Sequence, residues 1–267
     1  MSTCVVFAVS IFDSNKIYVL RDFLECFRKN FSDCDFYIGV NFGSIVEVEG
    51  IIKEYDLKAN VIRLHNSNLY CGSDASAYQI ALSLLQSSNK CYDVCWFAHT
   101  KGAVNNRFFE REMYLSNLFG KRSLVENLFE SKEFFGSYAL RGVSRGAAGH
   151  DWSVFNNDHH IEICSNVAFD VFNYTHVNWS YIETMYTIRG NVVQAFLRNV
   201  SDLFFSTKIQ EPCYFEITFP WTVSRMGYFP YVKENRCFFG EADLKTITQN
   251  WLNKNNLTHL IPYLSLP

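Results

Sequence analysis

The sequence predicts an α/β fold in which a mostly parallel β-sheet is flanked by helices. In residues 1–102, short apolar runs alternate with longer segments whose apolar residues recur at helical spacing. This alternation of strand and helix is typical of parallel sheets joined by right-handed crossovers. The chain has 267 residues, 48% of them hydrophobic and 19% charged, so it can bury a core without disulfides or a metal.

The four strands predicted in this half are apolar runs that end in polar or turn-forming residues. They cover residues 5–10, 36–40, 60–64 and 92–98. The helices predicted between them repeat apolar residues three or four positions apart. They cover residues 17–31, 45–55 and 73–85. Ser73 or Asp74 is a suitable N-cap for the last of these helices.

The second half of the chain is less regular. Its predicted elements are a strand over 134–141, a loop rich in Gly, Ala and Ser over 142–149, a strand over 181–188, a helix over 191–204 and a helix over 214–226. Pro220 should kink or divide the last helix. No repeat or strong linker divides the sequence, so we expect a single domain over residues 1–267.

Composition and charge exclude several classes of protein. The formal net charge of −3 argues against binding that depends on counterion release from nucleic acid, so nucleic acid is not an expected partner. No apolar run reaches the roughly 18 residues of a membrane span. The N-terminal residues lack the pattern of a secretory signal, and the nine scattered cysteines favour reduced thiols. We therefore expect a cytoplasmic protein.

Ligands of parallel α/β sheets bind beyond the carboxyl ends of the strands. No glycine-rich dinucleotide loop or P-loop follows the first strand, which argues against a dehydrogenase or a P-loop NTPase. Four polar residues, 99–102, follow the fourth strand instead. Lys101 can place a point charge against a diphosphate, while His99 and Thr100 can hydrogen-bond phosphate or sugar. The alternative interpretation is a solvated strand end.

A second polar cluster precedes the helix predicted over 73–85. It contains Asn66, Asn68, Gly72 and Asp74. A short polar loop that opens a helix can hold a base or a ribose, or it can cap the helix. Both interpretations stay open for this loop.

Together these two clusters resemble a known family. Residues 68–74, the following helix and the strand ending in residues 99–102 resemble glycosyltransferases of the rhamnan-synthesis protein F type and relatives with a His-Thr-Lys-Gly signature. Those proteins carry an Asn-x-Gly-x-Asp loop before the helix and His-Thr-Lys after the next strand. Here Gly72-Ser73-Asp74 matches the Gly-x-Asp part of that motif, whereas more residues separate Asn68 from Gly72 than in the family.

Two later segments extend the resemblance to about residues 5–230. Residues 183–189 resemble the family's Gly-Thr-Met-Phe-Trp strand, with Glu183 in place of the glycine. Residues 215–220 and 226–228 are similar to its Glu-Arg helix before a Gly-Tyr, with Ile217 where the Arg is expected. The resemblance implies a Rossmann-like nucleotide-sugar-binding fold of the GT-A type. Residues 1–105 would then bind the donor, and 106–267 would form the acceptor side.

The resemblance and the strand ends together define a candidate site. The donor-binding candidates are Ser10, Asp13, Asn41, Asn68, Gly72, Asp74, His99, Thr100 and Lys101. The acceptor-side candidates are Arg145, Trp179 and Trp221. Glu216 is the candidate base because aromatic residues surround it in sequence, with Asp151 and Glu183 in reserve. The competing interpretation of Glu216 is a carboxylate in the first turn of a helix. With Glu216 as base, the transfer inverts the anomeric centre.

Enzymes of the GT-A type usually place Asp-x-Asp and a divalent metal at the end of the fourth strand, where this sequence has His99-Thr100-Lys101. Residues 33–35 fit the Asp-x-Asp pattern but precede the second strand. We therefore expect no essential Mn²⁺ or Mg²⁺ and no tightly bound cofactor, with Lys101 and Arg141 or Arg145 offsetting the diphosphate charge. His99 as a single metal ligand stays open.

The predicted function is transfer of a sugar from a nucleotide-diphosphate sugar to a glycan or another hydroxyl-bearing acceptor, as in polysaccharide biosynthesis. One alternative is a metal-dependent phosphoesterase that uses Asp158, His159 and His160. The other is a non-catalytic nucleotide-sugar-binding protein, which the departures at Glu183 and Ile217 keep open.

Overall fold

The computed structural model describes eight stretches of the chain. They are residues 1–11, 13–63, 74–100, 108–130, 137–139, 142–144, 179–181 and 184–199. Within them the chain forms strands and helices in the alternating order predicted, so the α/β class is confirmed.

Eight strands are present in the described residues. They are β1 (Thr3–Ser10), β2 (Asp35–Phe42), β3 (Lys58–Arg63), β4 (Val94–His99), β5 (Ser137–Ala139), β6 (Gly142–Ser144), β7 (Trp179–Tyr181) and β8 (Tyr186–Arg189). Six of them form one sheet in the order β3-β2-β1-β4-β8-β5. The strands β1 to β4 are parallel to one another, and β8 is antiparallel to both β4 and β5. The strands β6 and β7 form a separate antiparallel pair.

The described residues form six helices, and the first three connect the parallel strands. They are α1 (Ile17–Asn30), α2 (Ile45–Glu54), α3 (Asp74–Ser87), α4 (Phe108–Asn117), α5 (Arg122–Glu130) and α6 (Gly190–Asn199). Short 3-10 turns, Ser14–Lys16 and Phe119–Lys121, precede α1 and α5. The N-cap of α2 is Ser44, whose hydroxyl accepts from the amide of Glu47 and so satisfies a backbone donor of the first turn.

The strand order changes direction between β1 and β4. The chain moves outward from β1 to β2 and β3 and then returns through α3 to β4, on the other side of β1. With right-handed crossovers, this order puts α1 and α2 on one face of the sheet and α3 on the other. The carboxyl ends of β1 and β4 therefore border the topological switch point, where ligands of such sheets bind.

Aromatic residues fill the core on the α1 face. The ring of Phe27 lies 5.2 Å from that of Phe7 and 5.4 Å from that of Phe119, both edge to face. Phe31 meets Trp96 at 5.0 Å in a similar geometry. Edge-to-face pairs add stabilisation beyond the burial of area. A large part of the aromatic content thus serves packing in this core.

The second half corrects two of the predicted elements and confirms the described part of a third. The loop predicted over 142–149 is wrong at its start, because Gly142–Ser144 forms β6 and pairs with Trp179–Tyr181. The strand predicted over 181–188 is two strands, β7 and β8, with a bend at Thr184. The strand predicted over 134–141 is confirmed only as Ser137–Ala139.

The two predicted C-terminal helices have different outcomes. The helix predicted over 191–204 is present as α6. The helix predicted over 214–226 lies outside the described residues. No helix in the described stretches is long and apolar enough to cross a membrane.

Candidate functional site

Three buried polar residues lie at the carboxyl ends of β1 and β4. Ser10, Thr100 and His99 are between 3% and 8% exposed. Register places Ala8 of β1 beside His99 of β4, so Ser10, two residues beyond Ala8, points to the same face of the sheet as His99. This is the α3 face. Burying polar groups costs free energy unless they are hydrogen-bonded. The burial of three polar side chains at one edge of the sheet therefore has to be explained by their hydrogen bonds or by a ligand.

The hydroxyl of Thr100 joins the two strand ends. Its Oγ1 accepts a hydrogen bond from the Ser10 amide at 2.9 Å and donates one to the Ser10 carbonyl at 3.0 Å. One step earlier, the Thr100 amide donates to the carbonyl of Ala8 at 3.1 Å. A side chain therefore replaces the backbone of β4 as the partner of Ser10, at the switch point. We call this arrangement the Thr100 latch.

The Thr100 latch limits what Thr100 can offer a ligand. A hydroxyl has one proton and two lone pairs. The proton and one lone pair are used on Ser10. Thr100 therefore joins the ends of β1 and β4, and at most one acceptor position on its hydroxyl is left for the predicted contact with the nucleotide-sugar donor.

A bulge in β2 faces the same strand end. Val9 pairs with Val40 and Ser10 pairs with Phe42, so Asn41 is the extra residue on β2. Bulges of this kind are enriched next to functional sites because they redirect side chains. Gly43 follows with φ of 103°, a backbone conformation that favours glycine, and turns the chain toward α2. The predicted donor residue Asn41 thus lies half-buried at a bulge on the carboxyl edge.

The hydroxyl of Ser10 differs from that of Thr100. Among the residues that the structure describes, Ser10 Oγ has no hydrogen-bond partner, although it is buried. An unsatisfied buried hydroxyl is destabilising, and such groups mark positions where a water, an ion or a ligand completes the bonding. Ser10 therefore offers a ligand one unused hydroxyl at the switch point.

The first turn of α3 packs closely onto the same face. Gly39 of β2 has no side chain, and a Cβ there would lie 1.9 Å from the carbonyl oxygen of Ala77. Ser76, next to Ala77, is buried at the start of the helix. The close approach brings the N-terminus of α3, with its exposed backbone donors, over the carboxyl half of the sheet. Asp74 is the first residue of α3.

Asp13 is the acidic candidate nearest the end of β1. Its carboxylate accepts from the amide of Asn15 at 2.9 Å and so caps the 3-10 turn before α1. Asp13 is exposed, so this cap leaves its other carboxylate oxygen facing solvent. The residue fits both its predicted donor role and a local capping role.

The remaining predicted site residues lie outside the described residues. They are Asn68, Gly72, Lys101, Arg145, Asp151, Glu183, Glu216 and Trp221. Asp74 and Trp179 are described only by their backbones, at the start of α3 and of β7. Arg141 and the segment Asp158-His159-His160 also lie outside. The structure therefore brings Ser10, Asp13, Asn41, His99 and Thr100 to one edge of the sheet.

The Asp-x-Asp pattern of residues 33–35 lies at the opposite edge, at the amino end of β2. Arg122 pairs with Asp33 and holds the pKa of that carboxyl at about 2. Burial opposes ionisation of Asp35, but hydrogen bonds from Tyr92 at 2.6 Å and Lys90 at 2.9 Å hold its pKa below the usual range. Both carboxylates are thus bonded to cations or hydroxyls far from the switch point.

Sequence reasoning missed a cluster on the α1 face. Arg111 of α4 is a buried arginine whose Nε lies 2.9 Å from Oδ2 of Asp22 of α1. Its guanidinium lies 5.3 Å from the ring centre of Tyr18 and 5.4 Å from that of Phe108. The available signal was the spacing of Tyr18 to Asp22 and of Phe108 to Arg111, which puts each pair on one helix face. Nothing in a single sequence showed that the two faces meet.

Burial shifts the pKa values of the acidic residues in this cluster. It raises the pKa of Asp22 above its usual value, although Arg111 opposes the shift. Burial also raises the pKa of Glu112, and the charge of Asp22 adds to the effect. The carboxylates around Arg111 are therefore easier to protonate than exposed ones.

Within the described stretches, no three His, Cys, Asp or Glu side chains form a group that could hold a metal ion. No protein-family model matches the chain, no curated protein is significantly similar to it, and no solved structure matches it significantly. The class that the described residues define is an α/β protein with a polar switch-point edge, and the function has to be inferred from that edge.

Proposed function

We propose that the protein is a glycosyltransferase with a GT-A-like fold, which transfers a sugar from a nucleotide-diphosphate sugar to a hydroxyl of a glycan or another acceptor. The observation that carries the proposal is the carboxyl edge of β1 and β4, where Ser10, His99 and Thr100 are buried together at the switch point. The resemblance of residues 68–74 and 99–102 to nucleotide-sugar enzymes supports the same position for the donor.

The donor would be bound mainly by neutral groups on the α3 face. Ser10 Oγ is buried and, in the described part of the chain, unpartnered, so it can bond a ribose or sugar hydroxyl without losing an existing bond. His99, in register with Ala8, lies on the same face of the sheet, and the first turn of α3 packs onto that face. Helix N-termini favour negatively charged groups, which suits the diphosphate of such a donor.

Charge on the diphosphate has to be offset when the bond to the sugar breaks. Lys101, directly after Thr100, is the proposed cation, and Arg141 or Arg145 is the proposed assistant. The Thr100 latch fixes the residue immediately before Lys101, which supports this assignment. Removal of the proton from the acceptor hydroxyl is assigned to Glu216, and a positioned base contributes on the order of 10²–10⁴-fold.

GT-A enzymes usually bind a divalent metal at the end of the fourth strand, but the described residues at the end of β4 offer few suitable metal ligands. His99 and Thr100 provide one imidazole and one hydroxyl already bonded to Ser10, whereas Mg²⁺ and Mn²⁺ prefer several carboxylate oxygens. We therefore predict that the transfer needs no metal, and the chelator EDTA tests this prediction.

The test is thermal unfolding of the full chain with UDP-, GDP-, dTDP- and CDP-sugars, each with EDTA and with Mn²⁺. A ligand that binds only the native state stabilises it by about 2.7 kcal/mol at a hundredfold excess over Kd. We expect one nucleotide sugar to raise Tm in EDTA. A rise that requires Mn²⁺ keeps the transferase and refutes its metal independence. No rise with any nucleotide sugar contradicts the proposal, and a rise with Mn²⁺ alone favours the phosphoesterase.

Matched variants connect the binding to the switch point. Ser10→Ala removes the unpartnered hydroxyl and should weaken binding of that nucleotide sugar. Ser2→Ala removes a hydroxyl that is bonded to Asp93 before the amino end of β1, so it should leave binding of the nucleotide sugar unchanged. Release of nucleoside diphosphate on adding oligosaccharide acceptors then distinguishes a transferase from a non-catalytic binding protein.

A further inference from the structure

A second polar site lies on the α1 face of the switch point. It consists of Tyr18 and Asp22 in α1 and of Phe108 and Arg111 in α4, and we call it the arginine–aromatic site. The helix α1 begins shortly after the carboxyl end of β1, and α4 is the first helix after β4. Tyr18 and Phe108 stand in the first turns of these helices, so the site lies on the same edge of the sheet as Ser10 and His99 but on the opposite face.

The guanidinium of Arg111 has bonding capacity left over. Its Nε forms an ion pair with Asp22, at 2.9 Å. In the described residues, neither Nε nor Nη1 has a hydrogen-bond partner of good geometry, although the side chain is only 1% exposed. A buried arginine donor without an acceptor is costly, and it is retained where a ligand or a water completes the set.

The two rings that cover the guanidinium are themselves half open to solvent. Tyr18 is 42% exposed and Phe108 is 40% exposed, and both rings contact the same buried guanidinium, so they present apolar surface to solvent at one place. Because the Arg111 side chain is only 1% exposed, a ligand reaches it only when one of these rings moves aside. The site thus combines flat apolar surfaces, unpaired N–H groups of one guanidinium and the carboxylate of Asp22.

We propose that the arginine–aromatic site binds a sugar ring of the acceptor. A sugar hydroxyl accepts from Arg111 while it or its neighbour donates to Asp22, and the C–H face of the sugar packs on an exposed aromatic ring. A phosphate fits less well, because Asp22 already balances the charge of Arg111 and Glu112 adds a further negative charge nearby. The role as acceptor site rests on the proposed function, whereas sugar binding itself does not.

The test is saturation-transfer NMR of the full chain with methyl glycosides of glucose, galactose, mannose and rhamnose. We expect transfer to the ring C–H protons of at least one glycoside. Phe108→Leu should weaken that binding about fivefold, the scale of one aromatic contact. Val46→Ala, at an exposed apolar residue in the first turn of α2, is the control and should leave it unchanged.

A second variant addresses the guanidinium itself. Arg111→Lys keeps the charge and loses the planar fork, so it should also weaken glycoside binding while circular dichroism confirms folding. Equal binding by wild type, Phe108→Leu and Arg111→Lys overturns the proposal, as does displacement of the glycoside by inorganic phosphate at equal concentration. A Tm rise with a nucleotide sugar but no glycoside binding refutes this site alone, and the reverse result refutes the donor assignment alone.

Discussion

At the scale of single residues, Thr100 shows how one hydroxyl can join two strand ends at the carboxyl edge of the sheet. It meets both backbone groups of Ser10, at 2.9 and 3.0 Å, where no β4 backbone group reaches them. The sequence predicted only that Thr100 contacts the nucleotide-sugar donor. The position of Thr100 next to Ser10 depends on the pairing of β1 with β4. These strands are far apart in the sequence, so no local motif shows that they pair.

Thr100→Val removes the latch and keeps the shape of the side chain. The Ser10 amide and carbonyl are then left unsatisfied, which should destabilise the fold by about 1–3 kcal/mol for each group. Thr100→Ser keeps the hydroxyl and loses one methyl group, at a cost of about 0.8 kcal/mol. Urea denaturation of both variants measures the difference. Equal stability of the two would show that the latch contributes nothing.

Asp33 gives a prediction with a pH dependence. Arg122 lowers its pKa from 3.8 to about 2, so the pair stabilises the fold above pH 3.8 and the contribution is lost as pH falls toward 2. The Asp33 side chain is 70% exposed, so the contribution should be only about 0.2–1 kcal/mol. Asp33→Asn should therefore be slightly less stable than wild type at pH 7, and the gap should narrow between pH 4 and pH 2. A gap that is constant with pH would contradict the pairing.

At the scale of elements, the sequence predicted β1 to β4 and α1 to α3 to within two residues at nearly every boundary. The apolar pattern of each of these elements can be read from its own residues, because each element buries one whole side against the core. The strand β6 was predicted as a loop and most of β7 was missed, because their three described residues are too few to show an apolar period. The pairing of Gly142–Ser144 with Trp179–Tyr181 is a long-range contact that composition does not encode.

Two glycines test how the elements pack. Gly39→Ala would put a Cβ 1.9 Å from a backbone oxygen of α3, so α3 must move, at a cost of about 1–3 kcal/mol or more. Gly50→Ala is the control, because nothing lies within 4 Å of its Cβ in α2. That change should stabilise the fold by about 0.5–1 kcal/mol. Chemical denaturation compares them, and a Gly39→Ala protein as stable as wild type would place α3 elsewhere.

At the scale of the whole molecule, the strand order β3-β2-β1-β4 directs the search for a ligand to one edge. Sequence reasoning reached that edge through Ser10, Asn41 and His99, since strand ends can be read from apolar runs. It missed Arg111, because a charged residue on a helix is usually exposed and its burial depends on how α1 and α4 meet. At that edge the described residues place polar side chains on the α3 face and aromatic rings on the α1 face.

Hydrogen-exchange mass spectrometry of the full chain, with and without millimolar nucleotide sugars, tests the central claim most directly. The account predicts that one nucleotide sugar slows exchange in peptides covering the carboxyl ends of β1 and β4, around Ser10 and His99. Peptides at the amino edge, around Thr3 and Asp35, should exchange as before. Unchanged exchange with every nucleotide sugar, or protection confined to the amino edge, would contradict the proposed donor site.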